Sequence, residues 1–417
     1  MKLQATIHSL AFAARSLVRQ PGRAILGIAG IAATGALLFD MLMLSRGLVV
    51  SMENLLEGVG FDVRVMATQS TPLTGPRLAD VDAIVAAVSA LPEVDAVVPL
   101  RMGEAQVGVR QRPARLTLIG ADVKVRRPWT LVRGSDLEPA SASLLTRGAP
   151  TPGAAPRPML LINRNLSDRL QISPGAEVTL RGNCVAGSSV PPIVFRVGGI
   201  ADFPFDEASQ LTAVTTLRDF ARTCGDTATD EADMLMVASR TEYGPDEAAR
   251  AIRRVRPELE PVTNEELVAR FQQVEFSYFR QISFVLASIT MFFGLLLVTV
   301  LLSVSTNQRI GEIAALRALG FSQKRMVADV LWRSALLVGT GGLLALPLGL
   351  ALSTWLDALL KTMPGIPANL HFFVFEPRTL MLHVAFLALT TGLAAIYPML
   401  MVARLPIAAT LRDEVVG

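Results

Sequence analysis

The sequence predicts a membrane α-helical protein with four transmembrane helices and a large extracytoplasmic α+β domain inserted between the first and second. Three observations lead there. Of 417 residues, 51% are hydrophobic and only 18% charged, too apolar for an ordinary soluble chain and too charged for a wholly embedded one. No charge falls between Arg280 and Arg309, a run long enough to cross a hydrocarbon core of roughly 30 Å as a helix. Three comparable apolar runs, 24–44, 334–356 and 380–402, stand elsewhere, and a long mixed-polarity stretch separates the first run from the one after Arg280. The net charge of +3 leaves no footprint of nucleic-acid binding.

Taken in order, residues 1–23 carry Lys2, Arg15, Arg19 and Arg23 and no acid, with Leu3, Ile7, Leu10, Ala14, Leu17 and Val18 on one helical face. This reads as an amphipathic helix on the cytoplasmic membrane surface. A targeting peptide is the other reading, opposed by the long apolar run that follows without a small-residue cleavage site. Residues 24–44 form the first span. Asp40, near its outer end, either makes a polar contact across helices or between protomers, or reaches the headgroup region. Residues 45–59 and 264–281 extend the first and second spans as a stalk, with Val49, Met52, Leu55 and Leu56 on one face of the first extension. The aromatic cluster Phe271, Phe276, Tyr278 and Phe279 reads as packing and interface anchoring.

Residues 60–263 make the inserted domain. Strands are expected at Phe61–Met66, Val94–Pro99, Leu116–Gly120, Glu177–Arg181, Ile193–Ile200 and Met234–Ser239. Helices are expected at Ala79–Leu91, Asn163–Leu170 and, with proline in its first turn, Pro245–Arg256. Proline and glycine crowd 148–158, a hinge or loop. The second span is 282–306, a charged loop is 307–333, the third span is 334–356, a loop is 357–379, the fourth span is 380–402 and a tail is 403–417. Gly339, Gly341, Gly342, Gly349 and Pro347 in the third span permit close packing or a kink. The N-terminal segment, the 307–333 loop and the tail are each basic in excess. The positive-inside rule therefore places both termini and that loop in the cytoplasm and the domain outside.

Within the 307–333 loop, Ile310, Ile313, Leu316 and Leu319 recur at three-residue steps, the apolar stripe of a short helix; Gly320 supplies its stop and Ser322 can cap the next helix. The run from Arg309 to Ser322 resembles the cytoplasmic signature of the FtsX-like permeases, the membrane subunits of ABC transporters of the MacB and lipoprotein-releasing type. Glu312-Ile313 and Arg317-Ala318-Leu319-Gly320 match the pattern, while Ala314 and Phe321 replace the usual glycine and alanine. The terminal run, Tyr397-Pro398 to Leu411-Arg412, is also similar, with Thr410 where alanine is usual. The domain resembles the periplasmic core domain of MacB-like permeases through Gly120-Ala121-Asp122, a lobe beginning Leu161-Ile162-Asn163, Pro174-Gly175-Ala176-Glu177-Val178, and Phe195 to Ile200. The resemblance implies an inserted lobe at about 140–225.

What the resemblance implies about function is specific. The chain is a non-catalytic permease in the inner membrane of a bacterium. A cytoplasmic ABC ATPase dimer, which holds the ATP and Mg, docks on the 311–320 helix of two permease chains, forming a homo- or heterodimer. Ile310, Ile313, Leu316 and Leu319 fill a groove on the ATPase, Glu312 and Arg317 orient the contact, and Gly320 ends the helix. The stalk passes the motion to the outer domain, for export or extraction of a lipid, lipoprotein, peptide or toxic compound. A periplasmic adaptor or outer-membrane component, and membrane lipids, are the further partners. The alternative is a transmembrane signalling scaffold through which the ATPase activates a cell-wall hydrolase.

Cys184 and Cys224 are the only cysteines. An extracytoplasmic, oxidising compartment permits a disulfide between them if their Cα atoms lie within about 7 Å; two independent thiols are the other reading. Catalytic motifs are missing from the sequence. Gly182 to Gly187 has the glycine spacing of a phosphate-binding loop, but Ser188 stands where lysine is needed. There is no zinc-protease motif or nucleophile elbow, and the three histidines, His8, His371 and His383, are scattered. ATP hydrolysis therefore falls to a separate subunit.

Overall fold

A computed structural model of the chain describes residues 21–68, 76–109, 112–123, 126–137, 157–184, 190–225, 230–273, 275–308, 310–320, 322–363 and 365–404. The amphipathic N-terminal segment up to residue 20, the Pro/Gly-rich stretch at 148–156 and the tail beyond 404 lie outside the described residues.

The elements run α1 (Pro21–Gly58), β1 (Val63–Met66), β2 (Leu78–Ala79), α2 (Val81–Ser89), β3 (Val94–Val109), β4 (Arg112–Ala121), β5 (Thr130–Gly134) and β6 (Met159–Ile162). They continue as α3 (Arg164–Leu170), β7 (Glu177–Gly182), β8 (Ile193–Asp202), β9 (Thr212–Thr215), α4 (Leu217–Cys224), β10 (Glu231–Ala232), β11 (Met234–Ser239), α5 (Gly244–Val255) and β12 (Glu260–Thr263). Five helices follow: α6 (Asn264–Gln273), α7 (Glu275–Asn307), α8 (Ile310–Ala318), α9 (Gln323–Leu360) and α10 (Pro377–Ala403). They divide into two compact units. One is Met1–Val50, Val274–Leu360 and His371–Gly417; the other is Ser51–Gln273 and Lys361–Leu370.

The second unit is the α+β domain. Its main sheet has ten strands, ordered β12-β1-β11-β3-β4-β9-β6-β8-β5, with β7 pairing both β3 and β8. Pairing is antiparallel except for β4–β9 and β6–β8. β3 is the spine: Val94–Leu100 pairs β11, Ala105–Gly108 pairs β7, and Leu100–Val109 pairs β4. Alternation along the strands feeds two cores on opposite faces. Val98, Leu100, Met234 and Met236 face one core with Phe61, Trp129 and Phe203, whereas Val97, Leu235 and Val237 face another with Ile84, Val88 and Ile252. Burial on both faces explains why Met234–Ser239 reads as a continuous apolar run.

The third core contains Leu160, Ile162, Leu166, Leu180, Phe195 and Phe220 together with Ala105, Val107, Leu116 and Leu118. The stretch expected as a lobe at 140–225 shares this core with Ala105 and Val107 of β3 and Leu116 and Leu118 of β4. Helix α3 is capped by Asn163, whose side chain accepts from Leu166 N at 2.9 Å. Thr216 caps α4 in the same way. The sequence pattern does not mark β2, β5, β9, α4, β10 or β12. These are short, and their apolar residues give too few repeats to set a period.

The first unit is a helical bundle. Among the described residues four helices are long and apolar enough to cross a membrane: Ala24–Gly58, Arg280–Asn307, Gln323–Leu360 and Pro377–Ala403. α1 runs unbroken through both the first span and its extension. α9 begins at Gln323, so the helix expected after Ser322 runs on without a break into the third span; no glycine or proline interrupts it before Gly339. Small residues let α1 and α9 approach closely. A Cβ on Gly35 would lie 2.9 Å from Ala345 Cβ, one on Gly341 2.6 Å from Ile31, and one on Gly349 2.9 Å from Phe39. Gly342 meets Leu387 on α10, whereas Gly339 faces open space. Asp40 is fully buried, and neither carboxylate oxygen has a hydrogen-bond partner among the described residues, so the expected polar contact across helices is not made within this chain. His383 is buried too, its ring 5.2 Å from that of Phe39.

Candidate functional site

The site the sequence singles out is α8, the nine-residue helix between the second and third spans. Its end follows from backbone chemistry. Gly320 adopts φ +93°, a left-handed conformation that costs a residue with a Cβ, and its N–H donates to Arg317 O at 3.1 Å. Leu319 N–H donates to Ala315 O at 3.0 Å, completing the final turn.

The apolar stripe resolves differently from its linear spacing. A three-residue step turns an α-helix by about 300°, so each successive residue falls about 60° behind the last. Three such steps carry Leu319 about half a turn from Ile310. Accordingly Ile310, Ile313 and Leu316 are half-buried, but Leu319 lies beyond the helix and is 78% exposed. The four do not form one face. The residue most tightly held is Ala314, which is fully buried. It stands where the family usually has glycine, and that demand for a small side chain was the available signal. Glu312 is exposed and Arg317 half-buried. Just beyond, Asp329 and Arg333 pair at 2.8 Å along the first turns of α9.

In the domain, Cys184 follows β7 and Cys224 ends α4; they are joined by a disulfide, Cα atoms 5.3 Å apart. Asn183 N–H donates to Glu104 O at 2.8 Å, so the bridge sits where β7 leaves β3. Gly182 is pressed against Thr223 O, where any Cβ would collide. Of the stalk aromatics, Tyr278 is exposed and Phe271 half-buried; the side chains of Phe276 and Phe279 lie outside the described residues. Among the described residues no three His, Cys, Asp or Glu side chains converge as a metal site requires.

A polytopic helical chain that inserts an α+β domain after its first span and a short helix after its second has the build of an ABC transporter permease. Residues 24–255 match the MacB-like periplasmic core domain, and residues 284–407 match the FtsX-like permease C-terminal region. The first match alone covers more than half the chain, and the chain belongs to this permease family. No curated protein matches its sequence. Among solved structures, it is similar to the extracellular domain of the ABC-type transporter YknZ from Gram-positive bacteria, at 11% identity and TM-score 0.33, covering 49% of this chain and 99% of that one. It is also similar to the periplasmic region of MacB from Actinobacillus actinomycetemcomitans, at 10% identity and TM-score 0.38, covering 52% and 95%. A domain of a permease protein from Porphyromonas gingivalis gives 15% identity and TM-score 0.29, covering 48% and 87%. At these scores the structural likeness carries no argument; the assignment rests on the two family models.

Proposed function

We propose that two copies of this permease, or this chain and a related one, receive a cytoplasmic ABC ATPase dimer on α8. The observation that carries this is α8 itself: a short helix set between two spans, ended by a left-handed glycine, bearing Glu312-Ile313 and Arg317-Ala318-Leu319-Gly320, inside the region that matches the FtsX-like model. Leu319, held out into solvent just past the helix end, is the most available apolar contact, and Glu312 and Arg317 orient the docking partner. The partner supplies ATP and Mg; this chain hydrolyses nothing. The basic excess of the 307–333 loop supports a cytoplasmic α8 and cytoplasmic termini, with the α+β domain outside the inner membrane of a bacterial cell. ATP-driven closure shifts the spans, and α1 and α7 pass the motion outward. The cargo class that suits this arrangement is a lipid, lipoprotein, peptide or small toxic compound taken from outside the bilayer or its outer leaflet, with a periplasmic adaptor or outer-membrane component downstream.

The test is coupled ATPase activity in membranes carrying the full assembly. Glu312→Ala, Arg317→Ala and Leu319→Ala should each lower it while leaving membrane insertion intact. Unchanged coupling in all three would remove α8 from the docking role.

A further inference from the structure

The connection between the third and fourth spans behaves unlike an ordinary surface loop. Lys361–Leu370 belongs to the same compact unit as the α+β domain. Ala368 N–H donates to Asp206 O at 2.7 Å, Asn369 Nδ2 donates to Pro204 O at 3.2 Å, and Pro367 forms an antiparallel bridge with Glu207. Leu370 is buried. The first ten residues of this connection thus spend backbone and side-chain donors on one short stretch of the domain, the turn between β8 and β9.

That turn is itself unusually constrained. Asp206 Oδ1 accepts from Thr212 Oγ1 and Oδ2 from Asn163 Nδ2, both at 2.7 Å. Asn163 Nδ2 also donates to Gln210 O at 2.7 Å, and Asn165 Nδ2 donates to Ala208 O at 3.0 Å. Gln210 closes the ring, accepting from Glu207 N–H at 3.0 Å and donating to Thr117 Oγ1 at 3.0 Å. Phe203 is buried with its ring 6.2 Å from Trp129. Two short segments, Asn163–Asn165 and Thr212, therefore fix the turn from beneath, leaving its outward carbonyls at Pro204 and Asp206 to hold Asn369 and Ala368.

The turn also touches β1. The Arg64 guanidinium lies over the Phe205 ring, 5.9 Å from its centroid, and Arg64 Nη1 donates to Asn264 Oδ1. Asn264 in turn donates from Nδ2 to Phe61 O at 3.1 Å and from its backbone N–H to Asp62 O at 2.9 Å. Asn264 is the first residue of α6, the helix that leads to the second span, and Phe61 follows the helix that comes from the first. Burial pushes the Arg64 guanidinium down to about 10, a sign of how completely it is enclosed.

We propose that the Phe203–Gln210 turn is a clasp that holds the third-to-fourth-span connection on the domain, and that Arg64, through Phe205 and Asn264, ties the clasp to the chain segments that lead to the first and second spans. Three chain passages are then linked through one turn, the third-to-fourth-span connection directly and the other two through Arg64, and displacement of any one is felt by the other two. This holds whether or not an ATPase docks on α8.

Hydrogen exchange on the full chain in lipid nanodiscs tests it. In the native chain the Ala368 amide should be protected. Asp206→Ala should raise exchange in peptides covering 365–370 and 203–211 by about tenfold or more while β4 and β11 stay protected. Arg64→Met should raise exchange at 203–211 and at the start of α6 together. An Ala368 amide that exchanges freely in the native chain, or protection unchanged in both variants, would overturn the clasp. If Asp206→Ala loosens the whole domain, a Glu207→Cys/Pro367→Cys pair decides: peptide mapping that finds a 207–367 cross-link supports the clasp, and its absence under oxidant refutes it.

Discussion

Reduction of the Cys184–Cys224 bridge should weaken the domain by an amount that can be worked out in advance. The bridge closes a loop with a sequence separation of 40. The chain-entropy relation for a loop of that length gives about 4 kcal/mol at 25 °C, lost when the cross-link is removed from the unfolded state. Native packing adds little to this figure. Both sulfurs pack with the third core, and Cys184→Ala/Cys224→Ala removes only the two sulfurs from it. The core that the bridge secures is shared with β3 and β4, so its loss should propagate to the whole sheet rather than to α4 alone. For a domain of this size a urea dependence of about 2 kcal/mol per molar converts the loss into a midpoint shift of about 2 M. Pulse proteolysis of the full chain in urea, in a detergent that keeps the spans folded, reads that shift with and without reductant. Oxidised and reduced chains that unfold within about 0.5 M of each other would refute the reasoning, since a loop of this length cannot be closed so cheaply in the chain-entropy picture.

Three further outcomes follow from particular contacts. Gly341→Leu should destabilise the bundle by about 1–3 kcal/mol, because its Cβ would already lie 2.6 Å from Ile31, whereas Gly339→Leu, which faces open space, should be nearly silent in the same thermal-stability assay in detergent. Burial pushes the Asp206 carboxyl up to about 6, with Asp202 and Glu207 adding to the rise and the Thr212 and Asn163 hydrogen bonds opposing it. A raised folded value means that the stabilising contribution is fully present below the unfolded value near 4 and is lost as pH climbs through about 6. It amounts to about 3 kcal/mol across that window, and Asp206→Asn should abolish this fall in urea titrations followed by Trp129 fluorescence in a Trp332→Phe/Trp355→Phe background. Ala314→Leu should displace α8, since the alanine is fully buried; proteolysis at the 307–322 connection should accelerate while the domain's own protection is unchanged.

The four-span plan and the inserted domain were legible because both rest on composition over long windows, where charge and apolar periodicity are unambiguous. Within the domain the Met234–Ser239 strand was legible because it carries a dense apolar run between clear breakers, but only the first part of β3 was, since polar and glycine residues interrupt the apolar alternation beyond Leu100. The short elements β2, β5, β9, α4, β10 and β12 were not, since their identity comes from partners far away in the chain: β9 exists because Thr117–Gly120 pairs it in parallel. The α8 stripe was misread for a geometric reason. Equal three-residue spacing looks regular on paper but drifts around the helix axis, and the residue that packs best, Ala314, is too small to register as apolar signal. The Asp206 turn was invisible in the sequence, because Arg64, Asn163, Asp206, Asn264 and Ala368 come together only through tertiary packing.

The measurement that bears most directly on the central claim is affinity purification of the tagged chain from native membranes in mild detergent, with mass spectrometry and an ATPase assay on the eluate. The account predicts co-purification of a soluble ABC ATPase, lost when Glu312 and Leu319 are both changed to alanine. Repeated recovery of the intact permease with no ATPase would contradict it and show that α8 serves another purpose.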